Sequence, residues 1–329
     1  MVQELLSPTL LTIMFLGLTG LYGFVKFSHE NDYATEVKLE KSSHHLSGGS
    51  ARTLITYAYT ESQIARENLA FFIDNALHPS ADFIFILNGP NHAAGMMIPK
   101  EPNVRVVSRP QDDDQCSNLG SHGEVLRKDG LWKKYERFIV LGAGVRGPFV
   151  PYWSDVCWSD AFLSRVTEDV KLVGATASCH PKFHIEPLIW ATDSAGMKLL
   201  LDPPEDSSAP HPGKTPVALG GCHKGKDHAS SGEIEATSVI RKAGYEVDAM
   251  MAAFHQAGNY KEACLKGPVP AHATAAGKQC YGASRTHPYE TLFVKADGDD
   301  VDAATVARVT EWYKPRGVKG SWDACRRGG

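Results

Sequence analysis

The chain has 329 residues, 43% of them hydrophobic and 22% charged, with a formal net charge of -4. That length accommodates one large domain or two small ones, and the near-neutral charge gives no electrostatic reason to expect a nucleic-acid partner. The seven cysteines are scattered, with neither the paired spacing of a zinc ribbon nor the density of a disulfide scaffold; one or two bridges are compatible with the pattern, and the odd count leaves at least one thiol unpaired within the chain.

Leu5 to Val25 (LLSPTLLTIMFLGLTGLYGFV) contains no charged residue, and about 20 apolar residues are what a helix needs to cross a bilayer core. Residues 1–27 therefore read as a transmembrane anchor with a short leading tail. A cleaved signal peptide fits less well, because Glu4 stands where a basic leader belongs and no small-x-small cleavage site follows. Lys26 followed by Glu30, Asp32 and Glu36 leaves the orientation unspecified. Residues 28–52 are polar, mixed in charge and end in a Ser/Gly cluster, the composition of a flexible stem. The chain has no Asn-x-Ser/Thr sequon, so glycosylation sites give a lumenal address no support.

Residues 53–329 read as a single globular domain. TLITYAYT (Thr53 to Thr60) is a β-rich run, followed by a helical pattern with Ile64, Leu69, Phe72, Ile73 and Leu77 on or near one face. ADFIFILNG and NVRVVSRP are further strands, SHGEVLRKDG opens a short helix with Ser121 as cap and Glu124 three residues on, and RFIVLGAG is a fourth strand. Alternating strands and helices, with nearly continuous apolar strands, indicate a parallel sheet covered on both faces. Ligands of such sheets bind beyond the carboxyl ends of the strands.

At the end of the fourth strand the chain spends Gly142, Gly144 and Gly147 within six positions and adds Arg146 and Pro148. Bare backbone there lets amides approach a phosphate, and a guanidinium suits a diphosphate. A plain tight turn into a helix begun near Pro151 explains the same residues. VKLVGATASC and FHIEPLIWATD follow, then a helix from Ser194 to Leu201 and a Pro/Ser loop from Pro203 to Pro216, with residues 203–230 read as a loop-rich insertion. A helix from about Glu233 to Lys242, a strand through Val247, the segment HPYETLFVKAD and a last helix from Ala303 to Trp312 complete the chain.

The succession of strand, helix, strand, then VVSRPQDDDQCSNLGSHGEVL, YERFIVLGAGVRGPF and KLVGATASCHPKFHIEPLIWATDSAGMKLLL, resembles glycosyltransferases of the bacterial rhamnan-synthesis type and a set of eukaryotic membrane-tethered relatives. The similarity spans most of Thr53 to Tyr260. It implies a GT-A fold: an α/β domain with a mixed, mostly parallel nucleotide-binding sheet and helices on both faces, using a nucleotide-sugar donor and a glycan acceptor. Gly120 takes the place of the family's helix-start glycine, Asn118 stands where the family tends to have Asp, and Gly147-Pro148 match its turn. The donor-binding candidates implied are Thr56, Tyr57, Asn88, Arg109, Asn118, Gly120, Gly142, Gly144, Arg146 and Gly147.

One departure matters. Where the family's fourth strand ends in Asn-Asp-Ser, this chain has Gly142, Ala143 and Gly144. In GT-A enzymes a carboxylate there holds Mg²⁺ or Mn²⁺ against the donor diphosphate, and such cations need oxygen ligands. Either the protein works without metal, with Arg146 or a lysine compensating charge, or it is inactive. Asp112, Asp113 and Asp114 are a substitute metal site on composition but precede the fourth strand, and an acidic run is first of all a solvated loop. Asp112, Asp114 and His255 are kept as metal candidates.

An inverting transferase needs a carboxylate to take the acceptor hydroxyl's proton. GEIEATSVIRKAGYEV resembles the acid-bearing helix start of such enzymes, with Glu233 at the matching spacing to Gly244 and Glu235 as the fallback. The helix macrodipole alone also accounts for two glutamates in a first turn. Asp193 is a third acid, equally suited to capping the Ser194 helix. His184, Trp190 and Trp153 are the acceptor-side candidates, the tryptophans as sugar-stacking rings or as core. Cys179, His180, His184, His223, His228, His255 and His287 could instead assemble a zinc site, although Pro181 breaks the helix that would align His180 with His184. Three readings follow: a single-pass membrane glycosyltransferase, placed in the Golgi or ER lumen by analogy with tethered transferases; an inactive sugar-nucleotide or glycan-binding relative; and a histidine-based metal-dependent hydrolase.

Overall fold

The computed structural model describes residues 52–89, 92–109, 118–179, 182–204, 216–222, 226–256, 260, 262, 286–296, 302–313 and 321–325. All belong to the unit Ala51–Gly329. The expected anchor and stem, Asp112 to Asp114 and most of the Pro203–Pro216 loop lie outside the described residues; among those described, no helix is long and apolar enough to cross a membrane.

The strands are β1 (Thr53–Thr60), β2 (Asp82–Asn88), β3 (Val104–Arg109), β4 (Arg137–Gly142), β5 (Val145–Arg146), β6 (Val170–Gly174), β7 (Ala177–Ser178), β8 (His184–Ile185), β9 (Ile189–Asp193), β10 (Glu246–Ala249) and β11 (Val294–Lys295). The helices are α1 (Gln63–Ala76), α2 (His92–Met97), α3 (Asn118–Arg127), α4 (Trp158–Leu163), α5 (Ser194–Leu201), α6 (Lys226–Lys242), α7 (Ala252–Gln256), α8 (Pro288–Thr291), α9 (Ala303–Trp312) and α10 (Ser321–Ala324). Seven strands form the main sheet in the order β10-β6-β9-β4-β1-β2-β3. All neighbours pair in parallel except β9, which runs antiparallel between β4 and β6. The sheet is therefore mixed and mostly parallel, as the resemblance implied.

Alternation along the strands divides the core into two layers, since successive side chains face opposite sides. Ile55, Tyr57, Phe83, Phe85, Ile139 and Leu141 pack with Leu69 and Phe72 of α1 and Trp158 and Phe162 of α4. Leu54, Ile84, Ile86, Phe138 and Val140 pack on the other side with Leu126 of α3, Leu200 of α5 and Val239 of α6. Helices thus cover both faces. The edge strand β3 is the exception to the continuous apolar reading: Arg105 and Val106 are exposed, as befits a strand with one neighbour.

Three boundary expectations are corrected. Ser121 does not cap a helix; α3 already runs through Asn118, and the buried Ser121 hydroxyl donates to Asn88 Oδ1 at 2.9 Å. No helix begins at Pro151, because the segment stays irregular until Cys157 caps α4. And α6 starts by Lys226, so the end of the presumed 203–230 insertion is helix.

Packing is tight at Gly123, where a Cβ would collide with the Leu219 carbonyl oxygen. Overpacking against backbone costs about 1–3 kcal/mol. Gly123→Ala should therefore lower the unfolding free energy by about 1–3 kcal/mol, read as a lower urea midpoint; an unchanged midpoint would show that α3 and residues 216–222 are not in contact.

Candidate functional site

Because β9 is antiparallel, the carboxyl ends of β1, β2, β4 and β6 share one edge with the start of β9. A cavity of about 450 Å³ opens there, lined by Thr60, Ser62, Gln63, Ile64, Ala65, Asn118, Ala143 and Gly144, within the roughly 300–1,000 Å³ typical of small-molecule sites. Sequence and packing explain its walls. Ser62 caps α1, its hydroxyl accepting from the Ala65 amide at 3.0 Å, which aims the first turn of α1 across the end of β1. Ile64, expected on the buried face, is instead 38% exposed and lines this cavity.

The two glycines at the end of β4 do different things. A Cβ on Gly142 would lie 2.9 Å from Asn118 Nδ2, so bare backbone lets Asn118 reach the strand end. At Gly144 a Cβ would meet nothing within 4 Å, so packing does not demand a glycine there, and the free space belongs to the cavity.

Asn88, Arg109, Asn118 and Thr60 extend the edge. Asn88 Oδ1 accepts from Arg109 Nη1 at 2.7 Å, Asn88 Nδ2 donates to Thr60 Oγ1 at 3.4 Å, and Arg109 also pairs with Glu124. The remaining donor candidates are not brought to the cavity. Thr56 is buried mid-strand, its hydroxyl 2.8 Å from His122 Nδ1, where it fastens α3 to the sheet. The Tyr57 ring lies in the core between Phe72 and Phe85, and burial pushes its phenol well above the usual range. Gly120 is buried within α3. Arg146 is committed: Nε donates to Asn68 Oδ1 at 2.8 Å and Nη2 pairs with Glu67 at 3.0 Å, while Asn68 Nδ2 holds the Ala143 carbonyl at 2.8 Å. Gly147 serves packing, since a Cβ there would strike the Leu292 carbonyl.

A second cluster lies further along the same edge. Thr176, just beyond β6, donates to Glu186 Oε2 at 2.6 Å, and Glu186 precedes the start of β9. The N-terminal half of α6 reaches this edge because α6 feeds β10, which pairs in parallel with β6. Glu233 sits there. Burial raises its carboxyl to about 7, with Lys295 lowering it and Glu186 raising it further. The fallback, Glu235, is buried and ion-paired with Lys182, which makes it a structural anchor rather than an open base. Sequence reasoning missed Glu186 and Lys295, the latter because only the pairing of β11 with β5 brings it here.

Asp193 is corrected. It pairs across the sheet with Arg137, the first residue of β4, which puts it at the opposite edge; there it caps α5 through the Gly196 amide at 3.0 Å and pairs with Lys171. Trp190 is corrected too: it is 1% exposed, and its Nε1 donates to the Glu186 carbonyl at 3.0 Å, so it is core. His184 is buried in β8 with Nδ1 2.9 Å from the Lys182 carbonyl. Trp153 is 74% exposed beside Tyr152 at 90%.

Among the described residues, the cavity walls offer hydroxyl, amide and backbone groups but no carboxylate, a poor match to the oxygen-rich shell of Mg²⁺ or Mn²⁺. His255 is corrected: its ring contacts the Arg165 guanidinium, the Ala249 carbonyl and Asp248, and a cation there would face a fixed positive charge. The one group of three metal-type ligands among the described residues is His78, Cys157 and Cys325, whose cysteines are joined in a disulfide. The described histidines thus give the hydrolase reading no support; His287, for instance, accepts from the Tyr289 amide as a helix cap.

The fold and the edge define an α/β domain with a mixed, mostly parallel sheet and a cavity at the carboxyl ends of its central strands. No family model matches the chain, and no curated protein matches it by sequence. Similar solved structures include a mannosyltransferase from Pyrobaculum calidifontis in complex with GDP-Man and Mn²⁺, at 11% identity and TM-score 0.38, over 60% of this chain and 54% of that one. A protein from Desulfovibrio desulfuricans G20 assigned to the nucleotide-diphospho-sugar transferases aligns at 10% identity and TM-score 0.34, over 66% of this chain and 94% of that one. The chain thus spans about half the length of the first neighbour, and both likenesses are too distant to carry a functional argument.

Proposed function

We propose that this chain is a nucleotide-sugar-dependent glycosyltransferase in which Glu233 is the general base. The observation that carries the reading is the pairing, on one sheet edge, of a glycine-lined cavity at β1 and β4 with a half-buried carboxyl held near 7. A base is most effective when its pKa lies near the working pH. In the step this supports, the acceptor hydroxyl oxygen attacks the anomeric carbon, its proton passes to the Glu233 carboxylate, and the bond to the diphosphate breaks, releasing nucleoside diphosphate. A single displacement of this kind inverts the anomeric configuration. Glu186, held by Thr176, and Lys295 flank the base, and the exposed Trp153 and Tyr152 suit a glycan acceptor by ring stacking.

The address is part of the same proposal. The apolar segment at residues 5–25 anchors the chain to a membrane, residues 28–52 act as a stem, and the domain faces the lumen of the Golgi or ER. Four of the seven cysteines support this, because Cys157 and Cys325 are bridged and Cys179 and Cys222 are also disulfide-bonded, as suits an oxidising compartment.

The test is a panel of nucleotide-sugars and nucleoside diphosphates against the full-length chain. One nucleoside diphosphate should raise the melting temperature, and its sugar conjugate should release that diphosphate; a ligand at 100 times its Kd stabilises by about 2.7 kcal/mol. A panel with no shift and no turnover sinks the reading, whereas binding without turnover favours the inactive relative. Gly144 supplies an internal check. Since its Cβ direction is open, Gly144→Val should leave the melting temperature nearly unchanged but weaken donor binding; equal losses in both would mean the space is packing, not a site.

A further inference from the structure

Resting on the transferase reading above, we propose that the ammonium of Lys295 neutralises the donor diphosphate in the place a divalent cation would occupy. The disagreement between fold and donor set is the starting point: the strand end reads Gly142, Ala143, Gly144, with Asn118 facing it, and these groups do not make a shell for a hard cation. Some positive charge is still needed there, because a leaving diphosphate gains charge as the glycosidic bond breaks.

The cations of this edge divide clearly. Arg146 is held by Glu67 and Asn68, Arg109 by Glu124, Asn88 and Ser121, Arg66 by Glu61, and Lys182 by Glu235. A guanidinium already forked onto a carboxylate has little left for a ligand. Lys295 is different. Its strand, β11, lies antiparallel on β5 with Lys295 opposite Val145, and the next amide, Ala296, donates to the Gly144 carbonyl at 3.2 Å. That hydrogen bond fixes Lys295 beside the glycine that lines the cavity. Lys295 is half-buried and makes no ion pair among the described residues. Its charge also reaches Glu233, whose carboxyl it lowers, so a residue whose backbone adjoins the cavity glycine also acts on the proposed base. A lysine acts on phosphate as a point charge on a flexible stem, which suits a group that must follow the diphosphate from bound donor to leaving group.

The experiment is calorimetric titration of the full-length chain with UDP and GDP, and with UMP and GMP, in EDTA and in Mn²⁺. The expected result is diphosphate binding that persists in EDTA and weakens by about 10–100-fold in Lys295→Met, with the monophosphate weakened far less and Lys295→Arg retaining most of the affinity. Met keeps the aliphatic stem, and Lys295→Gln provides a second neutral variant should Met destabilise β11. Diphosphate binding that disappears in EDTA and returns with Mn²⁺ overturns the proposal and points to acidic groups such as Asp112 or Asp114. Unchanged affinity in Lys295→Met overturns it while leaving the transferase reading intact. Wild-type protein that binds no diphosphate with or without metal overturns both.

Discussion

Glu233→Gln is expected to lower sugar transfer by about 10²–10⁴-fold, the usual contribution of a positioned general base, while leaving nucleotide affinity within about twofold. The loss belongs in kcat, because the carboxylate acts on the acceptor proton as the bond breaks and adds nothing to ground-state donor binding. Unchanged turnover would remove Glu233 from the chemistry. The wild-type pH profile should carry the same signature: a base works ionised, so kcat/KM should rise through about pH 7 and level off above it. The glutamine variant should lack that limb.

The same carboxyl has a thermodynamic consequence that needs no substrate. Its folded pKa, about 7, lies above its ordinary value of 4.5 because burial penalises the charged form. Between those values the native state keeps a proton that the unfolded chain has lost. The unfolded state then binds fewer protons, so stability falls as pH rises through this window. Glu233→Gln removes the burden, and the variant should melt higher than wild type at pH 8 but nearly equal to it at pH 4. A difference that stays constant across that range would mean that the carboxyl is solvated.

These two readouts also show what a sequence can and cannot disclose about such a site. β1, β2 and β4 were legible because buried central strands must be apolar on both faces, and the carboxyl edge followed from parallel pairing alone. Glu233 came from the resemblance of its segment to an acid-bearing helix start, and its role as base remains the proposal made above. What failed was whatever depended on direction or on distant pairing. Asp193 and Trp190 each had two readings in the sequence, and the structure takes the plainer one: β9 runs antiparallel, which carries Asp193 to the opposite edge as the cap of α5, and Trp190 lies in the core. Tyr57 failed through simple alternation, since its neighbour Thr56 faces α3 while its own ring faces α1. Arg146 looked free because nothing local announces Glu67 and Asn68, which reach it only when α1 packs against β5. Lys295 follows β4 by some 150 residues, and no short-range pattern could link the two.

Removing the Cys157–Cys325 bridge should produce the largest loss of stability and almost no change in nucleotide binding. The bond spans 168 positions, and the loop-entropy account assigns a bridge of that span about 5 kcal/mol, with native bridges typically worth roughly 2–5. At about 2–4 °C per kcal/mol for a domain of this size, Cys157→Ser with Cys325→Ser should lower the melting temperature by roughly 5–15 °C. The loss should begin locally. Apart from the bridge, Cys325 is held by its carbonyl accepting from Ser80 at 3.1 Å, and Ser321 bonds to the Asn75 carbonyl. Two hydrogen bonds to a four-residue helix offer little resistance to fraying. Asn75 is in the last turn of α1 and Ser80 lies just before β2, at the sheet edge opposite the cavity, so the opening would not reach Asn118 or Gly144. Limited proteolysis should accordingly cut near Ser321 in the double variant while a nucleoside diphosphate still binds. A parallel fall in affinity would show that the bridge acts on the site itself, and a free Cys157 thiol in protein purified under non-reducing conditions would deprive the oxidising-compartment proposal of its main support.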